Sequence, residues 1–167
     1  VDLANGSIIK DTELPAGVEG SLATDGTRLY FITTDGFLRA FNAADFRETW
    51  KTAVAPFSDS TPAVDGGVVY LADQKGMAMA LDAGSGQPRW QTPLNDEFAR
   101  CPVVTSNTVV FGCRGGTLTA LNRQSGQVVW TKKAVTRFTY EPLPVGDQVL
   151  YVDKGIATLA ALADGAE

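Results

Sequence analysis

Three tryptophans, Trp50, Trp90 and Trp130, stand 40 residues apart in a chain of 167, and a fixed period of that size restricts the fold more than any single motif does. The residues around them repeat as well. LYFITTDGFLRAFNAADFRETW, VVYLADQKGMAMALDAGSGQPRW and VVFGCRGGTLTALNRQSGQVVW align with one residue of adjustment, and VLYVDKGIATLAALADG supplies a fourth copy. Units with a period of about 40 to 50 residues bury their apolar faces by stacking on one another.

Each copy reads as four short strands. In the second copy Pro62 to Val64 open the inner strand, Gly66-Gly67 turn it, Val68 to Ala72 form the next strand, and Lys75-Gly76 turn again into Met77 to Leu81. Asp82 to Gly86 then turn into an outer strand over Gln87 to Thr92, because an Asp or Asn side chain caps its own backbone and glycine reaches positive φ without strain. The third copy repeats this turn as Asn122 to Gly126. A Trp on the outer strand fills the widening gap between neighbouring wedges. The 17 glycines and 8 prolines are spread along the chain rather than pooled in a linker, as many short strands with tight turns require.

The expected fold is therefore all-β: a β-propeller of four blades, each with four antiparallel strands. The blades fall at approximately 18–54, 58–94, 98–134 and 138–167. The last stops before any outer strand, and the segment 1–15 is expected to supply one, because Val1, Asp2 and Gly6 match Leu81, Asp82 and Gly86. Lys10 stands there where the other blades carry Trp. The first copy, AFNAADFRETW, lacks the turn glycine, so its last turn is expected to differ in shape or length.

The pattern Ala-Leu-Asp-x-x-x-Gly-x-x-x-Trp, present as ALDAGSGQPRW and ALNRQSGQVVW, resembles the PQQ-type (pyrroloquinoline-quinone) propeller repeat, a WD40-like architecture, over essentially the whole chain. The resemblance implies a periplasmic or extracellular bacterial protein. Blades of this type usually occur in eights, which implies a homodimer sharing one ring, with a closed four-bladed ring and an excerpt of a longer propeller as alternatives. Within the family the chain is similar to the cofactor-free propeller of the outer-membrane β-barrel assembly lipoprotein. The function implied is a non-catalytic scaffold for a protein partner. The alternative is a fragment or subunit of a quinoprotein dehydrogenase, whose propeller holds PQQ and calcium.

Composition restricts the chemistry. A net charge of -5 and a pI near 4.7, with basic residues interspersed among acidic ones, do not suit a phosphate backbone. No apolar run reaches the roughly 20 residues that span a bilayer. The chain has no histidine, which removes the commonest general base and zinc ligand. No residue is expected to be catalytic, and no cofactor or metal site is expected. The blade-ending tryptophans are assigned to packing, with Gly86 and Gly126.

Two features remain. Phe57, Phe98 and Phe138 recur in the connectors between blades, where the first blade has Val18, and the turns between second and third strands carry Asp35, Lys75, Arg114 and Lys154. Together they form a candidate partner-binding face, where aromatics and arginine are favoured; the alternative is that each Phe plugs the space between adjacent blades, since recurrence at every blade suits packing. Asp59, Asp96, Glu97 and Glu141 lie near the starts of inner strands as solvated loop charges. Cys101 and Cys113 fall on consecutive strands. A three-residue hairpin loop would set them opposite one another as a candidate disulfide, and a two-residue loop would set them on opposite faces.

Overall fold

The computed structural model describes residues 4–8, 11–55, 60–96, 101–133, 142–146, 148–153 and 155–161. Among them there is no helix, and hence none long and apolar enough to cross a membrane. The first sheet contains β1 (Val18–Thr24), β2 (Arg28–Thr33), β3 (Phe37–Asn42) and β4 (Glu48–Ala53). The second contains β5 (Ala63–Asp65), β6 (Val68–Ala72), β7 (Met77–Asp82) and β8 (Pro88–Pro93). The third contains β9 (Val103–Val104), β10 (Thr108–Gly112), β11 (Thr117–Asn122) and β12 (Val128–Lys133). The fourth contains β13 (Leu143–Val145), β14 (Gln148–Asp153) and β15 (Ile156–Ala161). Every sheet is an antiparallel meander in chain order, so each is one blade of a β-propeller, and the inner strands neighbour one another in the order β1, β5, β9, β13.

The core lies between blades, because each sheet is apolar on both faces. Tyr30, Ile32, Leu38 and Ala40 of blade 1 meet Val69, Leu71, Met79 and Leu81 of blade 2. The other face of blade 2, with Val68, Tyr70, Ala78 and Ala80, meets Val109, Phe111 and Leu121 of blade 3. Blade 3 then presents Val110, Leu118 and Ala120 to Val149, Tyr151 and Ala160 of blade 4. Period-two alternation sends neighbouring residues of one strand to opposite interfaces, which is why the strands read as nearly continuous apolar runs.

The repeated motif is a latch across these interfaces. Trp50, Trp90 and Trp130 pair with Ala40, Ala80 and Ala120 on the third strand, next to the same β-bulge in each blade. The small partner leaves room for the indole, and the bulge alters the local twist of the outer strand. Trp50 Nε1 donates to the Ala83 carbonyl of the next blade at 3.0 Å, and Trp90 Nε1 donates to the Arg123 carbonyl at 3.0 Å. The rings lie on Gly86 and Gly126, where an added Cβ would stand 2.5 Å from Trp50 and 2.6 Å from Trp90. Thr52 and Thr92 hydroxyls donate to the Gly86 and Gly126 carbonyls at 2.7 Å. Asp82 caps its turn by accepting from the Gly84 and Ser85 amides, as Asn122 does from Gln124 and Ser125.

The last turn of blade 1 corrects an expectation. It has the same shape and length as the others: the Phe46 amide donates to the Asn42 carbonyl at 2.9 Å, as Gly86 does to Asp82 and Gly126 to Asn122 at 2.8 Å. Phe46 takes the left-handed conformation at φ 57° where Gly86 and Gly126 have 71°. The candidate disulfide is also corrected. No disulfide joins Cys101 to Cys113, because β9 and β10 are joined through the two residues Ser106 and Asn107, with Val104 opposite Val109 and Val103 opposite Val110. Continued outward, that register sets Cys101 opposite Gly112, and Cys113 falls on the other face.

The expected outer strand of blade 4 falls partly outside the described residues. Among those described between Ala4 and Gly17 there is no strand, and blade 4 has three strands among the described residues.

Candidate protein-binding face

One end of the propeller is built from three turns with a common backbone. In the turns after β2, β6 and β10 the amides of Gly36, Gly76 and Gly116 donate to the carbonyls of Thr33, Asp73 and Cys113 at 2.9, 3.0 and 2.8 Å. Each of these glycines is buried at φ 82°, 77° and 86°. The two residues before Gly36 and Gly76 are exposed, and in blade 3 Arg114 is exposed beside a half-buried Gly115. Asp35 and Lys75 thus occupy equivalent positions, and Arg114 stands one residue earlier, at the place of Thr34 and Gln74. The fold offers one backbone on which each of these three blades displays a different side chain.

The connectors leave over these turns. The Val54 and Leu94 amides donate to the Gly36 and Gly76 carbonyls at 2.8 and 2.7 Å, so connectors and turns share an end of the molecule. Asp96 crosses from blade 2 towards blade 3, its backbone against Gly76 and its carboxylate against Gly115. The Lys133 ammonium donates to the Gly115 carbonyl. Phe57, Phe98, Phe138 and Lys154 lie outside the described residues, as do Asp59, Glu97 and Glu141.

Charges at this end are anchored from beneath. Arg39, 3% exposed, donates to Asp35 at 2.5 Å, to Glu48 and to the Thr33 hydroxyl. The Thr33 hydroxyl and the Arg39 guanidinium hold the Asp35 carboxyl below the usual carboxylate range. At the opposite end, arginines are spent on pairing within and between blades: Arg89 with Asp82 at 2.7 Å and Arg123 with Asp65 at 2.5 Å. Arg123 also donates to the Thr105 carbonyl at 2.8 Å and to Tyr70 Oη at 3.2 Å.

Cys113 offers little nucleophilic chemistry. Burial, with the Asp96 charge, pushes the Cys113 thiol up to about 12, and a thiol kept protonated is a poor nucleophile. Cys101 is half-buried and lines a cavity of about 360 Å³ between the inner strands, with Ala63, Pro102 and Pro142. Among the described residues no group of three or more Cys, Asp or Glu could hold a metal ion.

The sequence missed Thr52 and Thr92. Their signal is the spacing Trp-x-Thr in WKT and WQT, which the third copy breaks with WTK. It also missed Asp96 as a bridge between turns, since a connector has no periodicity to reveal a contact.

The family model described as outer membrane protein assembly factor BamB matches residues 1–167. The chain belongs to the BamB-like family of PQQ-type propellers. Among solved structures, BamB from Moraxella catarrhalis superposes with a TM-score of 0.80 at 20% identity, over 95% of this chain and 54% of that one. The computationally designed Ika4 protein superposes at 0.78 and 14% identity, over 90% of this chain and 94% of that one. A quinohemoprotein alcohol dehydrogenase from Comamonas testosteroni reaches 0.61 at 19% identity, over 70% of this chain and 21% of that one. No curated protein matches the chain in sequence. The BamB-like chain thus spans about half the length of Moraxella BamB, and the structural likenesses show a shared propeller fold.

Proposed function

We propose that this chain is a non-catalytic propeller scaffold of the bacterial cell envelope that binds a protein partner through its turn-and-connector face. The observation that carries the reading is the invariant turn backbone with changing exposed residues, Asp35, Lys75 and Arg114, in a chain that matches the BamB family from end to end. A rigid frame with variable tips supports recognition, and charges of both signs at the rim give orientation more than affinity. Membership in a family described as an outer-membrane assembly factor supports placement in the periplasm.

The test is affinity capture from a periplasmic extract, comparing the native chain with a Lys75→Glu, Arg114→Glu double variant. A specific partner retained by the first and lost from the second is expected. Equal capture by both would remove the face from the proposal. The likeness to quinoprotein dehydrogenases supports a second reading. Titration with PQQ and calcium separates the two, because saturable quenching of tryptophan fluorescence is the mark of a quinone site.

A further inference from the structure

The blade 1–blade 2 seam and the blade 2–blade 3 seam share their aromatic parts but differ at the end opposite the connectors. Tyr30 lies 5.9 Å from Trp50 in the first, and Tyr70 lies 6.1 Å from Trp90 in the second. Each indole donates to a main-chain carbonyl, of Ala83 or of Arg123, so the latch does not need the side chain at that position. Yet in the repeat alignment the second seam carries Arg89, Ser106, Arg123 and Gln124 where the first carries Thr49, Gly66, Ala83 and Gly84. Small neutral residues have given way to two arginines, a hydroxyl and a carboxamide.

These four residues line one cleft of about 380 Å³, with Tyr70 in its wall. Arg123 is fixed from three sides. Its Nε donates to Tyr70 Oη at 3.2 Å, Nη1 to the Thr105 carbonyl at 2.8 Å and Nη2 to Asp65 at 2.5 Å, and the guanidinium carbon stands 5.7 Å from the centre of the Tyr70 ring. Arg89 Nη2 donates to Asp82 at 2.7 Å. A guanidinium already held in place loses little freedom on taking a ligand, and neither carboxylate lines the cleft.

The cleft keeps donors in reserve. Arg89 Nε and Nη1, and the second Nη1 hydrogen of Arg123, find no acceptor among the described residues. The Ser106 hydroxyl and the Gln124 carboxamide make no hydrogen bond to another described residue either. Together these donors outnumber the roughly four acceptor sites of one carboxylate. A phosphate group offers three strongly accepting oxygens, and arginine forks match it in pairs of bonds.

We propose that the cleft at the blade 2–blade 3 seam binds a phosphate group, as free phosphate or as the monoester headgroup of a lipid. Arg89 and Arg123 grip it from two blades, with Ser106 and Gln124 completing the donor set. The site lies at the end opposite the turn-and-connector face and does not depend on that reading.

The experiment is a titration of the whole chain with inorganic phosphate at low ionic strength, followed by nuclear magnetic resonance of the arginine Nε–Hε groups. Saturable shifts at Arg89 and Arg123 are expected. Arg123→Ala and Arg89→Thr, which install the residues of the first seam, should each weaken binding about tenfold or more. Arg28→Gln, which removes the partner of Asp25 at the first seam, should leave the affinity unchanged. Near-ultraviolet dichroism of the tryptophans reports whether each variant keeps its latches. Phosphatidylcholine vesicles containing phosphatidic acid form the second arm. Retention that Arg123→Ala abolishes would assign the phosphate to a lipid headgroup, and phosphate binding without retention would assign it to a soluble ligand. The absence of any saturable shift at millimolar phosphate would overturn the proposal, as would undiminished affinity in both folded arginine variants.

Discussion

The last turn of blade 1 and the last turns of blades 2 and 3 share a backbone, yet one carries Phe46 where the others carry Gly86 and Gly126. All three positions are left-handed, so turn geometry alone does not explain the difference. What differs is the neighbour. Trp50 lies on Gly86 and Trp90 lies on Gly126, whereas the residue one repeat before Trp50 in the sequence is Lys10. The glycine of the repeat is therefore required by the indole above it more than by the turn beneath it, and the family motif describes an interface rather than a blade.

The comparison can be broken by substitution. The largest effect is expected from Trp90→Ala, which empties the blade 2–blade 3 interface of its indole and hydrogen bond. A loss of about 3–5 kcal/mol in a denaturant titration is expected. Next comes Gly126→Ala. It combines left-handed strain of about 1–2 kcal/mol with a Cβ driven into Trp90, and overpacking costs a further 1–3 kcal/mol or so. The same titration at Phe46→Gly should give a change within about 1 kcal/mol, since relief of backbone strain offsets the lost contacts of a half-buried ring. A loss there as large as that of Gly126→Ala would mean that the turn, not the indole, sets the requirement.

The smallest effect concerns acid. The Arg89 guanidinium and the Ser85 hydroxyl lower the Asp82 carboxyl to about 2, below its ordinary 3.8. A lowered folded-state value means that the carboxylate stabilises the fold fully above about 3.8 and loses that contribution as pH falls through about 2. Asp82→Asn should keep the turn cap, as Asn42 and Asn122 do, and flatten the decline in melting temperature between about pH 5 and about pH 2.5. An unchanged decline would assign the acid sensitivity elsewhere.

Much of the fold is legible in the sequence because the blade repeats four times. The tryptophans, the capped turns and the strand order follow from period and turn chemistry. Three things do not. A left-handed Phe46 contradicts local preference, and only the loss of Trp at Lys10 hints that a side chain is tolerated there. The relation of Cys101 to Cys113 depends on one residue of loop length, which Ser106-Asn107 decides. Asp96 is placed by a non-repetitive connector. For the candidate site, the sequence puts Asp35, Lys75 and Arg114 in equivalent turns, and the backbone sets Arg114 one position earlier than the other two.

The most direct measurement is a double-mutant cycle between Trp90→Ala and Gly126→Ala, read by equilibrium unfolding. If the glycine exists to receive the indole, the cost of Gly126→Ala should shrink to the strain of the turn once Trp90 is gone, giving a coupling of at least about 1 kcal/mol. Additive losses, with Gly126→Ala as costly without Trp90 as with it, would contradict the latch and return the glycine to its turn.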